Sequence, residues 1–344
     1  MCCNHNLHMF PYHKSKKEIA KKNNGLSIVT VSMNRTSDLC ETVRKLSQYP
    51  YHMEHVIIDW SSAPPITFND LPRDKRIKLY RVSGEKKWHL TRAYNFGFRM
   101  ANGAYILKAD ADALIDKEFF QNNEWQQINV FLANDPTMGD TFVKSLTGLF
   151  FVPRTRLLEI GGFNEYLDGW GYDDIDLFTR LRRVCNYQRI NFTGIKTIPQ
   201  SDEERIKNTI DAIYLTRNIN PAAIKYANNK KNRWVAYVLR WSNTSSKSLY
   251  EKREEGDWIA KSIPKIPGHL LPKVEYVKRK AFVEYMLGIK IGSCSQEDVK
   301  RMEWLVQTKY RFIAKTAAIL PRMLNKIIRV ATINIARIKY KQKE

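Results

Sequence analysis

Apolar, β-branched runs alternate over much of the chain with stretches whose apolar positions recur every three or four residues. The run LSIVTVSM, Leu26 to Met33, is apolar almost throughout, the pattern of a strand buried on both faces of a parallel sheet. Thr36 or Ser37 then offers an N-cap to a helix carrying Leu39, Val43 and Leu46. A second strand, HVIIDW, ends at Asp59, and IKLYRVS, Ile77 to Ser83, predicts a third beyond a proline-rich loop. Leu90, Tyr94 and Phe98 share one face of a helix expected to stop at Asn102-Gly103, and AYILKAD is the fourth strand. Strand, helix and strand in this order give a right-handed βαβ unit, the opening of a nucleotide-binding α/β sheet.

Further along, Lys117 to Asn134 reads as helical, Gly148 to Val152 as a strand, and Arg154 to Ile160 as a short helix closed by Gly161-Gly162. Asp173, Asp174 and Asp176 open a helix with apolar positions at Ile175, Leu177, Phe178 and Leu181, and NYQRINFTGIKTI returns as one or two strands. Three regions follow: a basic leader over 1–24, an α/β domain over 25–217, and a basic helical region over 218–344. In the last segment Leu324, Ile327, Ile328, Ala331 and Ile335 interleave with basic residues, an amphipathic helix that either packs on the domain or meets a membrane. No repeat and no low-complexity tract appears.

Charge sharpens this picture. With 57 Lys and Arg against 35 Asp and Glu, the net charge of +22 predicts an anionic partner: nucleic acid, a membrane surface, a nucleotide diphosphate or an anionic polymer. The five cysteines, Cys2, Cys3, Cys40, Cys185 and Cys294, form no zinc-type pair, so free thiols in a reducing compartment are expected. No apolar run reaches the ~18–20 residues of a spanning helix, and no signal-peptide core is evident. A chain that is soluble or lies on a membrane is the expectation.

The candidate chemistry sits at Asp110-Ala111-Asp112. Alternate residues of a strand point the same way, so this triplet aims two carboxylates into one pocket. A bare pair of this kind is usually solvated loop, but here it falls at the carboxyl end of a strand, as Asp59 does, where open α/β sheets bind ligands. Two acids that close are tolerated when a hard divalent cation, Mn²⁺ or Mg²⁺, bridges them. Gly169-Trp170-Gly171 predicts a tight turn presenting a large aromatic beside Asp173, Asp174 and Asp176. Helix capping accounts for one of these acids and leaves two in excess. The histidines form no cluster; His52 and His55 flank a strand and read as surface residues. The P-loop pattern is absent.

These segments carry a resemblance. LSIVTVSMNR, VIIDWSS and TRAYNFGFRMANGAYILKADAD resemble the donor half of GT-A glycosyltransferases of family 2, an α/β, Rossmann-like fold. GGFNEYLDGWGYDDIDLFTRL resembles the acceptor-side segment of β-1,4-galactosyltransferases, polypeptide N-acetylgalactosaminyltransferases and bacterial chondroitin-type polymerases. The resemblance implies that Thr30, Val31, Arg35 and Asp59 hold the uridine, that Arg92 and Asn95 face the nucleotide or donor sugar, and that Asp110 and Asp112 hold Mn²⁺ or Mg²⁺ against the diphosphate. It implies Asp174 as catalytic base, kept ionised by its helix N-terminus, with Asp173 binding acceptor hydroxyls and Trp170, flanked by Gly171, stacking on a sugar. Two departures stand out. Asp59-Trp60-Ser61-Ser62 replaces the common Asp-Asp-Gly-Ser, which puts Trp60 at the base pocket. The metal-ligating histidine usual after the last core strand is missing from IPQSDEER, where Gln200, Asp202 or water would substitute.

The resemblance therefore implies an inverting, metal-dependent transfer from a UDP-sugar, of galactose or N-acetylgalactosamine type, to a glycan or glycolipid acceptor such as capsule or lipopolysaccharide. It would work in the cytoplasm, with peripheral contact to the anionic inner face of a membrane. Two other classes compete: a nucleic-acid or polyanion-binding protein on an α/β scaffold, and a sugar nucleotidyltransferase. Acids stand where a nucleic-acid groove would be basic, and the Gly-Trp-Gly-x-Asp-Asp segment has no use in nucleotidyl transfer.

Overall fold

The computed structural model describes residues 25–140, 146–215 and 219–316. In chain order the first elements are β1 (Leu26–Ser32), α1 (Thr36–Ser47), β2 (Glu54–Trp60), β3 (Ile77–Ser83), α2 (Leu90–Met100), β4 (Tyr105–Lys108), β5 (Ala113–Ile115) and α3 (Lys117–Gln121). They continue as β6 (Val130–Ala133), β7 (Phe150–Pro153), α4 (Arg154–Glu159), α5 (Asp173–Leu181), β8 (Asn186–Arg189), β9 (Ile195–Thr197), α6 (Asp202–Lys207) and α7 (Ala212–Leu215). The chain then forms α8 (Pro221–Val238), β10 (Leu249–Lys252), β11 (Trp258–Ser262), α9 (Leu271–Leu287) and α10 (Gln296–Thr316).

Nine strands form one sheet in the order β10-β11-β3-β2-β1-β4-β7-β6-β8. Strands β3, β2, β1 and β4 are parallel, the βαβ topology the apolar runs predict, whereas β7 enters antiparallel beside β4. Every residue of β1 and β2 is buried, because helices and loops cover both faces of the parallel strands. Helix α2 is buried around nearly its whole circumference and wedges Tyr94, Phe96 and Phe98 into the larger apolar core. It ends on an extended Ala101, ahead of the glycine expected to stop it. Gly103 serves close approach instead, since a Cβ there would stand 2.6 Å from Ser27 Oγ.

Three expectations are corrected. The stretch from Lys117 to Asn134 is not one helix. Asn123 donates its side-chain amide to Phe119 O at 2.7 Å and to Asn191 O at 2.9 Å, which takes up the carbonyl a continuing helix would use and lets Val130–Ala133 extend beside β7. The C-terminal region is not helical throughout, because β10 and β11 form a hairpin that extends the main sheet beside β3. Tyr250 and Trp258 of this hairpin pack edge-on against Phe96, so the sheet and its core draw on both sides of residue 217. His52 and His55 are not surface residues. Both are buried at the start of β2, and His55 Nε2 lies 2.9 Å from Thr30 Oγ1. Burial pushes their imidazoles down, His52 to about 4 and His55 to about 3.

Cys40, Cys185 and Cys294 are free thiols. No helix among the described residues is long and apolar enough to cross a membrane. The basic leader over 1–24 and the apolar stripe from Leu324 to Ile335 lie outside the described residues.

Candidate active site

Register sets the site. Ser32 pairs with Asp59, so β1 and β2 end level in the sheet, whereas β4 ends opposite Val29 and the chain runs on from Lys108 into Asp110 and Asp112. The loops after β1 and β2 are tied together: Asn34 N–H donates to Ser62 Oγ at 2.9 Å, and Ala63 N–H donates to Asn34 Oδ1 at 2.8 Å. Beyond these ends opens a cleft of about 270 Å³ that Val31, Arg35, Asp110, Asp112, Trp170, Gly171, Asp173 and Asp174 all line. Donor-side and acceptor-side candidates, about sixty residues apart between Asp112 and Asp173, thus meet in one cavity.

The acidic pair is held by cations and hydroxyls. Asp110 Oδ1 accepts from Lys108 Nζ at 2.8 Å and from Tyr94 Oη–H at 2.9 Å. Asp112 lies 3.3 Å from the Arg35 guanidinium, which also pairs with Asp38 at 2.8 Å. Burial works to raise the Asp110 carboxyl, but Lys108 and Tyr94 outweigh it and hold the group below the usual range. Asp112 is pushed up to about 6 by burial and then by the charge of Asp110. An acid pair that resists full ionisation is the donor set a divalent cation relieves. Mg²⁺-type ions are often held by one or two carboxylates together with substrate phosphates, and the two aspartates fit that arrangement. Among the described residues no group of three or more acidic, histidine or cysteine side chains is placed to hold a metal ion alone.

The segment that lacks the expected histidine still reaches this place. β9 pairs antiparallel with β5, and Ile198 N–H donates to Asp112 O at 2.9 Å, so Gln200 arrives at the cleft wall. With its amide oxygen turned toward Arg35, Gln200 accepts from that guanidinium. The next turn, α6, capped by Ser201 and Glu204, adds Glu204 and Arg205 to the lining.

The other wall is the Gly169-Trp170-Gly171-Tyr172 turn. Gly169, Gly171 and Tyr172 have φ of 71°, 103° and 71°, and a side chain at Gly169 would stand 2.7 Å from Asn228 Nδ2, which is why glycine occupies the turn. Helix α8 clamps it: Asn232 Nδ2 donates to Asp168 O at 3.0 Å and Gly171 O at 2.7 Å, Lys231 pairs with Asp168, and Lys225 Nζ sits 4.0 Å from the Trp170 ring centre. From this turn α5 starts. Asp176 pairs with Arg180 at 2.7 Å within the helix, whereas Asp173 and Asp174 face the cleft.

Asp174 does not keep the low pKa expected of a helix N-terminus. Burial, then the charge of Asp173, pushes it up to about 8, and its Oδ1 has no hydrogen-bond partner among the described residues. Lys108 stands between the two walls. It is almost completely enclosed, and a Cβ on Gly148 would lie 2.7 Å from Lys108 Nζ and 3.1 Å from Asp174 Oδ2, so a bare glycine lets the lysine and the carboxylate converge. Burial alone would lower the Lys108 amine, but Asp110 and Asp174 more than compensate and keep it charged.

Thr30, Asp59, Arg92 and Asn95 do not line the cleft. Thr30 is spent on His55. Asp59 is fully enclosed, accepting from Ser62 N–H at 2.8 Å and Ile66 N–H at 3.1 Å and pairing with Arg81, so it shapes the loop after β2. Asn95 bridges Phe163 O and Glu165 at 2.9 and 2.8 Å. Arg92 pairs with Glu85, sits 5.5 Å from the Trp60 ring and borders a separate cavity with His89 and Asp168. Trp60 itself is buried in the core and does not line the cleft. Sequence reasoning missed Lys108, Tyr172, Glu204, Arg205 and Asn229 in the lining. Only Lys108 left a signal, a charge closing an otherwise apolar run.

Residues 27–154 match the model of glycosyl transferase family 2, and residues 131–202 match that of the N-terminal domain of galactosyltransferase. No curated protein matches the chain. Among solved structures, the catalytic domain of Drosophila beta1,4-galactosyltransferase 7 in complex with xylobiose is 12% identical, covering 72% of this chain and 98% of that one at a TM-score of 0.42. The mannosyltransferase PcManGT from Pyrobaculum calidifontis, in complex with GDP-Man and Mn²⁺, is 14% identical, with 93% and 85% covered and a TM-score of 0.43. S. aureus TarS is 13% identical, with 86% and 91% covered and a TM-score of 0.40.

Proposed function

Residues 27–154 carry a glycosyl transferase family 2 domain, and from that premise we propose that this chain is a GT-A glycosyltransferase that moves a hexose from a UDP-sugar to a glycan acceptor with inversion at the anomeric carbon. The observation that carries the reading is the meeting, in one cleft, of Asp110 and Asp112 with Trp170, Asp173 and Asp174.

Inverting transfer needs one base on the acceptor side. Asp174, pushed up to about 8, is matched to accept a proton near neutral pH as the acceptor oxygen attacks and the diphosphate departs. Asp173 is placed to accept from neighbouring acceptor hydroxyls, and Trp170 offers a flat apolar face for a sugar ring. On the donor side Asp110 and Asp112 would hold Mn²⁺ or Mg²⁺, which supplies Lewis-acid stabilisation of the leaving diphosphate. Arg35 and Arg205 bring fixed positive charge to the same wall. Val31 and Arg35 are the donor contacts this reading retains, while Thr30, Asp59, Arg92 and Asn95 act behind the wall.

A galactose-type donor is supported by the match to the galactosyltransferase model over residues 131–202. A growing surface polymer, capsule or lipopolysaccharide, reached at the inner face of a membrane, suits the net charge of +22. The test is a panel of UDP-sugars with Mn²⁺, Mg²⁺ or chelator, scored for donor hydrolysis and, with acceptor, for the anomeric configuration of the product. Asp112→Asn is expected to remove the dependence on metal together with turnover. Asp174→Asn is expected to remove transfer while UDP affinity stays. Unchanged metal-dependent turnover in the first variant, transfer in the second, or a retained anomeric configuration each sinks the assignment it addresses.

A further inference from the structure

Beside the cleft lies a larger cavity of about 860 Å³ between α5, α8 and α9, at the upper end of the ~300–1,000 Å³ typical of ligand sites. Tyr172 lines both spaces, so the cavity adjoins the acceptor end of the site. Its walls are strongly cationic: Arg183, Lys230, Arg233, Arg240, Lys273 and Lys280 all face it. Among the described residues none of the six makes an ion pair with a carboxylate. The two acids in the wall are already engaged, Asp176 with Arg180 at 2.7 Å and Glu284 accepting from Ile291 N–H at 3.0 Å.

The distribution follows from helix periodicity. Lys230, Arg233, Trp234 and Tyr237 fall at spacings of three and four on α8, and Lys273, Tyr276 and Lys280 do the same on α9, so each helix turns a basic and aromatic stripe toward the other. Helices that only needed solubility would not leave like charges facing across a concavity, where they repel. Tyr237 is 76% exposed, a flat ring with little packing to satisfy. Fixed cations alternating with aromatic faces suit a chain of sugar rings that carries regular negative charge.

We propose that this groove is the acceptor subsite of the enzyme and that it takes an acidic glycan, a polymer bearing carboxylate or phosphate groups along its length, whose growing end passes Tyr172 to reach Asp174. The proposal rests on the glycosyltransferase reading of the adjoining cleft. The shared wall at Tyr172 favours a glycan over nucleic acid, because the groove adjoins the carboxylates that would receive an acceptor hydroxyl. Its concave shape favours a polymer chain over a membrane surface.

The test uses the full-length protein and a fluorescently labelled oligouronate, against a neutral maltooligosaccharide of equal length, a single-stranded DNA oligomer and anionic phosphatidylglycerol vesicles. Oligouronate is expected to bind in a salt-sensitive manner, and Arg233→Gln with Lys273→Gln to weaken it about tenfold, the loss of two partly exposed charge contacts. Tyr237→Ala, at an exposed position, is expected to weaken oligouronate binding as well. With oligouronate as acceptor, the ratio of transfer to donor hydrolysis falls in the same variants. Equal binding of the neutral oligomer overturns the acidic character. Tighter binding of DNA or of vesicles, lost in the same variants, overturns the glycan in favour of that partner. Donor hydrolysis without oligouronate binding overturns the groove and leaves the enzyme reading standing. Oligouronate binding with no turnover of any UDP-sugar overturns the acceptor role instead.

Discussion

A lysine enclosed by the sheet, with its ammonium among the carboxylates of Asp110 and Asp174, is the residue on which the site's electrostatics turn. It holds Asp110 ionised from below, leaving the face toward the cleft free for a cation, and it offsets part of the repulsion between the two walls. Lys108→Met keeps the volume and removes the charge. Stability is expected to fall by about 1–3 kcal/mol, because Asp110 stays open to the cleft and is not stranded in a dry interior. Asp110 and Asp174 are expected to titrate higher, so the rate of transfer reaches its plateau at a higher pH than in the parent. Thermal melts and a pH profile of transfer check both outcomes; a profile that does not move means Lys108 only fills space. A second residue-scale prediction concerns His52, whose ring nitrogens are buried without partners among the described residues. Its folded pKa of about 4 lies below the ordinary 6.5, so the unfolded chain takes up a proton that the folded chain refuses, and stability drains away as pH falls from about 6.5 to 4. His52→Leu removes that proton uptake. Its melting temperature is expected to match or exceed the parent's at pH 7.5 and to exceed it by more at pH 5; an equal gap at both values would mean that His52 does not titrate as its burial requires.

At the scale of elements, β1 and β2 were legible because burial on both faces selects long apolar, β-branched runs, and β3, only partly buried, still spans the residues its own run marks. The hairpin β10–β11 was not legible. Its strands are short, mostly exposed and charged, and only Tyr250 and Trp258 turn inward, so no run of apolar residues announces them. The candidate site divides in the same way. Asp110, Asp112, Trp170 and Asp174 stand in local patterns that mark them as candidates, and they line one cleft, whereas the grip of α8 on the Gly-Trp-Gly turn joins segments about sixty residues apart through asparagines that look like ordinary helix surface. That grip is testable. Asn232→Ala favours the helix and removes both bonds to the turn, at Asp168 O and Gly171 O. Trp170 and Asp173 are then held less firmly, and kcat/KM for the acceptor is expected to drop about 10²-fold, the scale of an ångström misplacement, with the KM for the donor little changed. An equal loss in donor hydrolysis would show instead that the whole cleft had loosened.

For the whole molecule, the consequence is that the catalytic sheet and the basic region after residue 217 are one physical object. The sequence marks an α/β domain over 25–217 and a basic region after it, because composition changes there and the chain turns basic. The structure sends that region back across the sheet: β11 covers the edge of β3, Tyr250 packs edge-on against Phe96 and Trp60, Ser248 N–H donates to the enclosed Glu165 at 2.7 Å, and α8 holds the Gly-Trp-Gly turn. Cutting the chain after residue 217 would uncover a strand edge, strip the aromatic core of a partner and leave the Glu165 carboxylate with fewer donors. Each is a separate penalty, and a domain has only about 5–15 kcal/mol of net stability to absorb them. An exposed β3 is also a template for pairing with other chains. The truncated protein is therefore expected to aggregate on expression or to melt without a cooperative transition, and to bind no UDP. A soluble fragment that unfolds cooperatively near the parent's melting temperature would overturn this integration.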